Sequence, residues 1–99
     1  MPQSFTQIYI HLVFSTRDRE KIILTGDRDD LAGYIGGILR ELDSPVVVIG
    51  VQPDHVHILL SSSKTKAVSE LAEAVKVGTS HWLKKHSAHY RTFLLTGWL

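Results

Sequence analysis

The first part of the chain alternates between apolar and polar positions. From Ile8 to Phe14 every second residue is a large apolar one. Side chains of a β-strand point alternately to its two faces, so this period of two predicts a strand over residues 5–16 with one apolar face. The opposite face then carries Tyr9, His11, Val13 and Ser15.

Two later segments have the period of an amphipathic helix. In residues 27–42, apolar residues recur every three or four positions from Leu31 to Leu42, and aspartates occupy the first turn, where carboxylates favour the helix dipole. Residues 66–86 repeat this pattern. Gly36 and Gly37 lower the helix propensity of the first segment, and we expect them to allow a close approach to a sheet.

Two β-branched segments lie between the predicted helices. Residues 46–52 and 55–62 are predicted strands, and Pro53-Asp54 between them is a turn signal, so a tight hairpin is expected. A last short strand is predicted within residues 89–99. The order β-α-β-β-α-β predicts an α+β, ferredoxin-like split βαβ fold. In this fold two helices cover one face of a small antiparallel sheet, and the other face stays open.

Composition favours a single domain over residues 1–99. With 43% hydrophobic residues in 99, the chain can bury one core. The absence of cysteine excludes disulfides, thiolate metal ligands and a cysteine nucleophile. The sequence has no apolar run of membrane-spanning length and no signal-peptide pattern, so we expect a cytoplasmic protein without a membrane partner.

Charge is distributed unevenly around the net value of +1. Residues 1–50 hold five basic and seven acidic residues, residues 51–99 hold six and three, and no acidic residue follows Glu73. A basic C-terminal half fits a polyanion such as nucleic acid, although a solvated helix face explains the same pattern. The candidate phosphate contacts are Lys76, Lys84, Lys85 and Arg91.

The segment Asp54-His55-Val56-His57 is the main candidate for chemistry. His55 and His57 lie two residues apart on a predicted strand and therefore share a face, while Val56 points to the helix-covered side. Two neutral imidazoles can chelate Mg²⁺, Mn²⁺ or Zn²⁺ if a carboxylate, amide or water completes the coordination. Two partly exposed strand histidines without a ligand are the alternative. His11 shares this open face if its strand is adjacent.

Spacing alone makes none of the three tyrosines catalytic. Tyr34 lies in the predicted core stripe of the first helix, Tyr9 lies on the first strand, and Tyr90 lies in the basic segment. His86 and His89 suit the polar end of the second helix, where an imidazole complements the dipole. The sequence also lacks a glycine-rich phosphate loop and a Ser-His-Asp pattern.

Three segments together resemble a known family. They are residues 7–16, residues 50–59 around the histidine pair, and the helix that contains Val75-Lys76 and Ser80-His81-Trp82-Leu83. In this order they resemble the TnpA-type, IS200-like HUH single-tyrosine transposases of small bacterial insertion sequences. The resemblance covers residues 4–85.

The resemblance implies a ferredoxin-like domain that works as a homodimer and binds single-stranded DNA hairpins. In such proteins a tyrosine attacks a DNA phosphate, and a divalent ion, Mg²⁺ or Mn²⁺, on the two HUH histidines polarises that phosphate. His55 and His57 match this metal-binding pair. Gln52 stands three residues before the pair, where many members have an acidic residue.

The catalytic tyrosine of the family has no counterpart in residues 1–99. In the family it lies on a further C-terminal helix, after a strand segment that residues 93–98 loosely resemble, whereas Tyr90 precedes that segment. We therefore expect a member without its catalytic helix. It is either a DNA-nicking and joining enzyme by descent or a non-catalytic DNA-binding relic, and a ferredoxin-like interaction module is the third alternative.

Overall fold

The secondary structure follows the predicted order. A computed structural model describes residues 7–63 and 65–97. Its strands and helices are β1 (Tyr9–Thr16), α1 (Arg28–Glu41), β2 (Val46–Val51), β3 (His55–Ser61), α2 (Val68–His86) and β4 (Leu95–Thr96). Short 3-10 turns occupy Arg17–Arg19 and Thr25–Asp27 in the predicted loop, and Ala88–Tyr90 after α2.

The four strands form one antiparallel sheet in the order β2-β3-β1-β4. β1 pairs with β3 along its length, so that Val13 lies opposite His57 and Ser15 lies opposite His55. This order, with β3 inserted between β1 and β2, is the split βαβ arrangement and confirms the predicted ferredoxin-like α+β fold. The predicted last strand is present, and its two residues pair with the end of β1.

The hydrophobic core lies between the helices and one face of the sheet. The strands bury alternate residues and the helices bury one stripe each, as the two periods predict. The largest buried side chains of the sheet and helices are Leu12, Phe14, Ile58, Leu60, Leu31, Ile35, Leu39, Leu71 and Leu83. Tyr90, Phe93 and Leu95 extend this core beyond α2.

The sheet is half-covered, because both helices pack on the same side. Along β3 every second residue from Val56 is buried, while His55, His57 and Leu59 on the other side are half-exposed. In the part of the chain described, none of the helices is both long and apolar enough to cross a membrane.

Three expectations about individual positions are wrong or fall outside the described residues. Ile8, expected on the apolar face, lies before the first residue of β1 and is 51% exposed. Positions 5 and 6 of that predicted strand lie outside the described residues. Tyr34, expected in the core stripe of α1, is exposed at its rim.

The close approach to the sheet expected at Gly36 and Gly37 is wrong, and a close approach between the two helices occurs at Gly78 instead. A Cβ atom added at either glycine meets nothing within 4 Å, whereas one added at Gly78 of α2 would overlap the Cδ1 atom of Ile38 in α1. Gly78 therefore lets the two helices approach each other. The glycines of α1 have no such contact with the sheet.

Candidate metal and nucleic-acid site

The hairpin between β2 and β3 holds the candidate histidines at a rigid position. The backbone N–H of Gln52 donates to the carbonyl of His55 at 2.8 Å, which closes a two-residue loop of Pro53 and Asp54. The carbonyl of Asp54 accepts a hydrogen bond from the backbone N–H of Thr16 at 2.9 Å. The loop that precedes His55 is thus tied to the end of β1.

A carboxylate orients the ring of His55. The Nδ1 atom of His55 lies 2.8 Å from Oδ1 of Asp54, and Arg19 donates to the other carboxylate oxygen at 3.3 Å. The hydrogen bond from His55, together with the charge of Arg19, lowers the pKa of Asp54. An ionised carboxylate only accepts, so in the neutral imidazole of His55 the proton is on Nδ1 and the lone pair is on Nε2. Metal-binding histidines commonly have such a second partner.

The ring of His57 lies beside that of His55 on the open face of the sheet. The two ring centroids are 5.9 Å apart, and the ring planes differ by 29°. The ring of His57 also extends over Gly50, its direct partner on β2. His11 approaches His57 edge-on, with 6.0 Å between centroids, so the open face holds a cluster of three imidazoles.

The donor set suits an ion with two protein ligands. Within residues 7–63 and 65–97, no three side chains of His, Asp, Glu or Cys are grouped closely enough to hold a metal, so His11 does not complete a set with the pair. Two neutral imidazoles with water in the remaining positions fit a divalent ion such as Mn²⁺. Gln52 is exposed and lies across the hairpin from His55, so its amide side chain belongs to the same face of the sheet as the pair.

The four candidate phosphate contacts lie on three different surfaces of the structure. Lys76 and Lys84 line one groove of about 430 Å³ between α2 and the segment that enters β4. Lys85 lines a separate groove of about 320 Å³ beside Tyr34. Arg91 is exposed on the turn after α2 and lines neither groove.

The groove with Lys76 and Lys84 lies at the β4 edge of the sheet, two strands away from the histidine pair on β3. Leu95 of β4 lines it, and the next residue, Thr96, pairs with Ser15. Ser15 in turn pairs with His55. At about 4.8 Å per strand, His55 is about 10 Å from the β4 edge.

Comparison with known proteins identifies the family. A family model described as "Transposase IS200 like" matches residues 4–98. This chain belongs to the IS200-like transposase family. The ISDra2 transposase TnpA of Deinococcus radiodurans is 29% identical over 70 residues, which make up 71% of this chain and 50% of that protein. The chain thus spans about half the length of this curated relative.

Two solved structures share the fold of this IS200-like transposase chain. A crystal structure from Deinococcus radiodurans R1, described as a transposase, superposes with a TM-score of 0.86 at 18% identity, covering 100% of this chain and 83% of that one. A REP-associated tyrosine transposase bound to a REP hairpin gives a TM-score of 0.60 at 18% identity, covering 84% and 54%. Both support the ferredoxin-like assignment.

Tyr90 has a structural position in this transposase chain. Its side chain is fully buried, and its hydroxyl donates to Oδ2 of Asp27 and accepts from the backbone N–H of Leu24. Burial, followed by the hydrogen bond to Asp27, raises the pKa of Tyr90 to about 12. A phenol that is buried, bonded and hard to ionise is a poor nucleophile.

The other two tyrosines also lie away from the histidine pair. Tyr34 stacks on Trp82 in the helical layer, with 5.9 Å between ring centroids. Tyr9 shares the open face, but it lies four residues along β1 from Val13, the partner of His57. That separation is about 13 Å along a strand.

Sequence reasoning missed the residues that support the pair. Asp54 and Arg19 orient His55, and Gly50 makes room for His57. A signal existed for two of them: Asp54 directly precedes His55, and a glycine within a β-branched strand often marks a close approach. The role of Arg19 depends on how its loop folds back on the hairpin.

Proposed function

We propose that this chain binds single-stranded DNA hairpins and that His55 and His57 hold Mg²⁺ or Mn²⁺ at a phosphate of the bound DNA. The observation that carries the proposal is the pair of imidazoles on the open face, with Nε2 of His55 left free by Asp54. Membership of the IS200-like transposase family supports a role in DNA transposition. A structural relative bound to a REP hairpin supports the class of ligand.

The proposed chemistry requires charge neutralisation at a phosphate. When bound, a divalent ion polarises a phosphoryl oxygen and stabilises the negative charge that develops during cleavage. His55 offers Nε2 to the ion, and Asp54 holds the ring and its tautomer. Lys76 and Lys84 in the groove beside β4 neutralise phosphates farther along the strand.

The geometry favours one path for the bound strand. It follows the groove along α2, crosses the short β4 edge at Thr96, and reaches His55 two strands further into the sheet. The distance across those strands is about 10 Å, and the bound strand also passes from the helix-covered side of the sheet to its open face. Lys85 and Arg91 lie off this path.

A non-catalytic DNA-binding protein is the second candidate, and a specific observation favours it. None of the three tyrosines, all of which lie in the described residues, has its hydroxyl beside His55 and His57. A chain with the metal pair and the basic groove but without a nucleophile at the pair binds hairpins and leaves them uncut.

A binding assay tests hairpin binding and metal binding, which both candidate functions require. Fluorescence anisotropy is measured with a labelled single-stranded hairpin and with a strand of the same composition that cannot form one, each with and without Mn²⁺. We expect tighter binding of the hairpin, and loss of the Mn²⁺ effect in a His55→Ala, His57→Ala double variant. Equal affinity for the two strands contradicts hairpin recognition, and an unchanged Mn²⁺ effect in the double variant contradicts the metal pair.

A denaturing gel separates the two candidates. If the chain cuts, incubation with the hairpin and Mn²⁺ yields a DNA-linked protein band. We expect no such band from this chain alone, because its tyrosines lie away from the pair. A band that Tyr90→Phe abolishes contradicts this expectation and makes Tyr90 the nucleophile.

A further inference from the structure

Gly50 is the one glycine in an otherwise β-branched strand. β2 reads Val-Val-Val-Ile-Gly-Val, and Gly50 pairs directly with His57 of β3. Glycine weakens a strand interior because it adds backbone freedom and packs no side chain. The presence of a glycine opposite the candidate metal ligand His57 therefore requires an explanation in the surroundings of Gly50.

That reason is space for the imidazole of His57. A Cβ atom built on Gly50 would lie within 3.0 Å of three ring atoms of His57, Nε2, Cε1 and Cδ2. The ring thus occupies the volume that any other residue at position 50 fills with its own side chain. Gly50 has no left-handed backbone angle, so its conformation by itself accepts an L-residue.

The other neighbours of His57 restrict where its ring can go. Val13 lies opposite it on β1, and the ring of His11 approaches edge-on from the same strand. His55 lies two residues before His57 on β3, on the same open face. A methyl group at position 50 forces the ring of His57 to turn away from β2, towards β1 or solvent. Its nitrogens then change direction relative to Nε2 of His55.

We infer that Gly50 is a positioning residue for the metal pair, because its missing side chain sets the ring orientation of His57. The inference rests on the proposed function of His55 and His57. The displaced group is the far end of a side chain and not backbone, so Gly50→Ala alters the site without disrupting the fold. Mutation of an outer residue that orients a metal ligand typically weakens metal affinity by about 10- to 100-fold.

The experiment measures Mn²⁺ affinity and ring position separately. Mn²⁺ is titrated by electron paramagnetic resonance into the wild type, Gly50→Ala and Gly36→Ala. The last makes the same chemical change where an added Cβ meets nothing within 4 Å. We expect binding about 10- to 100-fold weaker in Gly50→Ala alone, with a melting temperature close to that of the wild type. In metal-free wild type, we expect a nuclear Overhauser cross-peak between the Gly50 Hα and His57 Hε1 protons.

The outcomes distinguish this inference from the proposed function. If the wild type binds Mn²⁺ and Gly50→Ala binds it equally well, the inference is wrong and the metal pair stands. If the wild type does not bind Mn²⁺, the proposed metal-binding role of His55 and His57 is wrong. The cross-peak then decides whether the ring of His57 lies over Gly50. If Gly50→Ala lowers the melting temperature as much in a His57→Ala background as alone, Gly50 acts on the fold and not through His57.

Discussion

At the residue scale, Tyr90 connects the C-terminal segment to the start of the first helix. Its hydroxyl donates to Asp27, directly before α1, and accepts from the backbone N–H of Leu24 at 3.0 Å. His86 places Nε2 2.9 Å from the other oxygen of the same carboxylate. Asp27 thus joins the beginning of α1 to the end of α2 and to the turn that follows.

Removal of this hydroxyl will destabilise the protein. In Tyr90→Phe, the N–H of Leu24 and one oxygen of Asp27 lose their partner in a partly buried setting. Hydrogen bonds to charged groups contribute about 1.5–3 kcal/mol, so we expect the free energy of unfolding to fall by about 1–3 kcal/mol in urea denaturation. Tyr34→Phe is the matched control, because the Tyr34 hydroxyl has no hydrogen bond within the described residues. Equal losses in the two variants contradict the role of Tyr90.

The same contact makes stability depend on pH at both extremes. The pKa of Tyr90 is raised to about 12. The contribution of Tyr90 to the free energy of unfolding is therefore complete below about pH 10 and disappears as the pH rises from about 10 to about 12. The hydrogen bond from Tyr90 lowers the pKa of Asp27 from 3.8, with smaller contributions from His86 and His89. The contribution of ionised Asp27 to the free energy of unfolding is present above pH 3.8 and disappears as the pH falls through the folded-state pKa of Asp27.

Melting curves of the wild type and Tyr90→Phe across pH test this dependence. We expect the difference between their melting temperatures to be largest near neutral pH. It narrows as the pH rises from about 10 towards about 12, and it narrows again below about pH 4. A difference that stays constant up to pH 12 means that the buried phenol does not have a raised pKa.

At the scale of the element, α2 presents its lysines to two different surfaces. Lys76 and Lys84 lie eight residues apart and share the groove beside β4. Lys85 is one residue further on, about 100° around the helix, and lines the groove beside Tyr34. Glu73 also lines the first groove and lies 3.9 Å from Lys76, so one carboxylate opposes its two lysines.

This division predicts unequal effects of lysine removal on DNA binding. Each lost phosphate contact in single-stranded DNA reduces the slope of log K against log salt by about 0.7. We expect Lys76→Ala with Lys84→Ala to reduce both the affinity for the hairpin and the slope, by about 1.4 in the slope. Lys85→Ala and the distant control Lys21→Ala should change the slope by much less.

Anisotropy titrations at several salt concentrations measure these slopes. An unchanged slope in the Lys76→Ala, Lys84→Ala variant means that these lysines of α2 are solvated and do not contact the DNA. A larger change in Lys85→Ala than in the double variant places the DNA on the other groove.

At the scale of the whole molecule, the longer of the two sheet edges, β2, has no partner strand on its outer side in the described chain. β2 ends the sheet on the side away from β4, and its Val47 and Val48 are 53% and 54% exposed. An edge strand with apolar side chains is a template for pairing with a second chain, and most such assemblies have two-fold symmetry. The uncovered face with Tyr9 and Leu59 adds further apolar surface.

We predict a homodimer in solution that forms along the β2 edges. Light scattering coupled to size exclusion should give twice the chain mass at micromolar concentration. Val48→Lys places a charge on the edge and should shift the mass towards the monomer, whereas Val77→Lys changes a valine of similar exposure on α2 and should not. A monomer mass for the wild type that does not change with dilution contradicts the dimer.

Local sequence determined the elements and part of the site. The period of two in β1 and β3 and the helical period in α1 and α2 predict which side of each element is buried, because burial of one face requires that pattern. The common face of His55 and His57 follows from the same alternation, with no knowledge of neighbouring strands. Proline and aspartate at positions 53 and 54 likewise predict the tight hairpin.

Tertiary structure alone decided which elements meet. Gly50 and His11 come beside His57 because β3 lies between β2 and β1, and no periodicity within a strand records its neighbours. Tyr90 contacts Asp27 across 63 positions of sequence, and the helices meet at Gly78 and not at the paired glycines of α1. The physical reason is that local patterns specify which face of an element is apolar. The partner of that face depends on how all the elements fill one core.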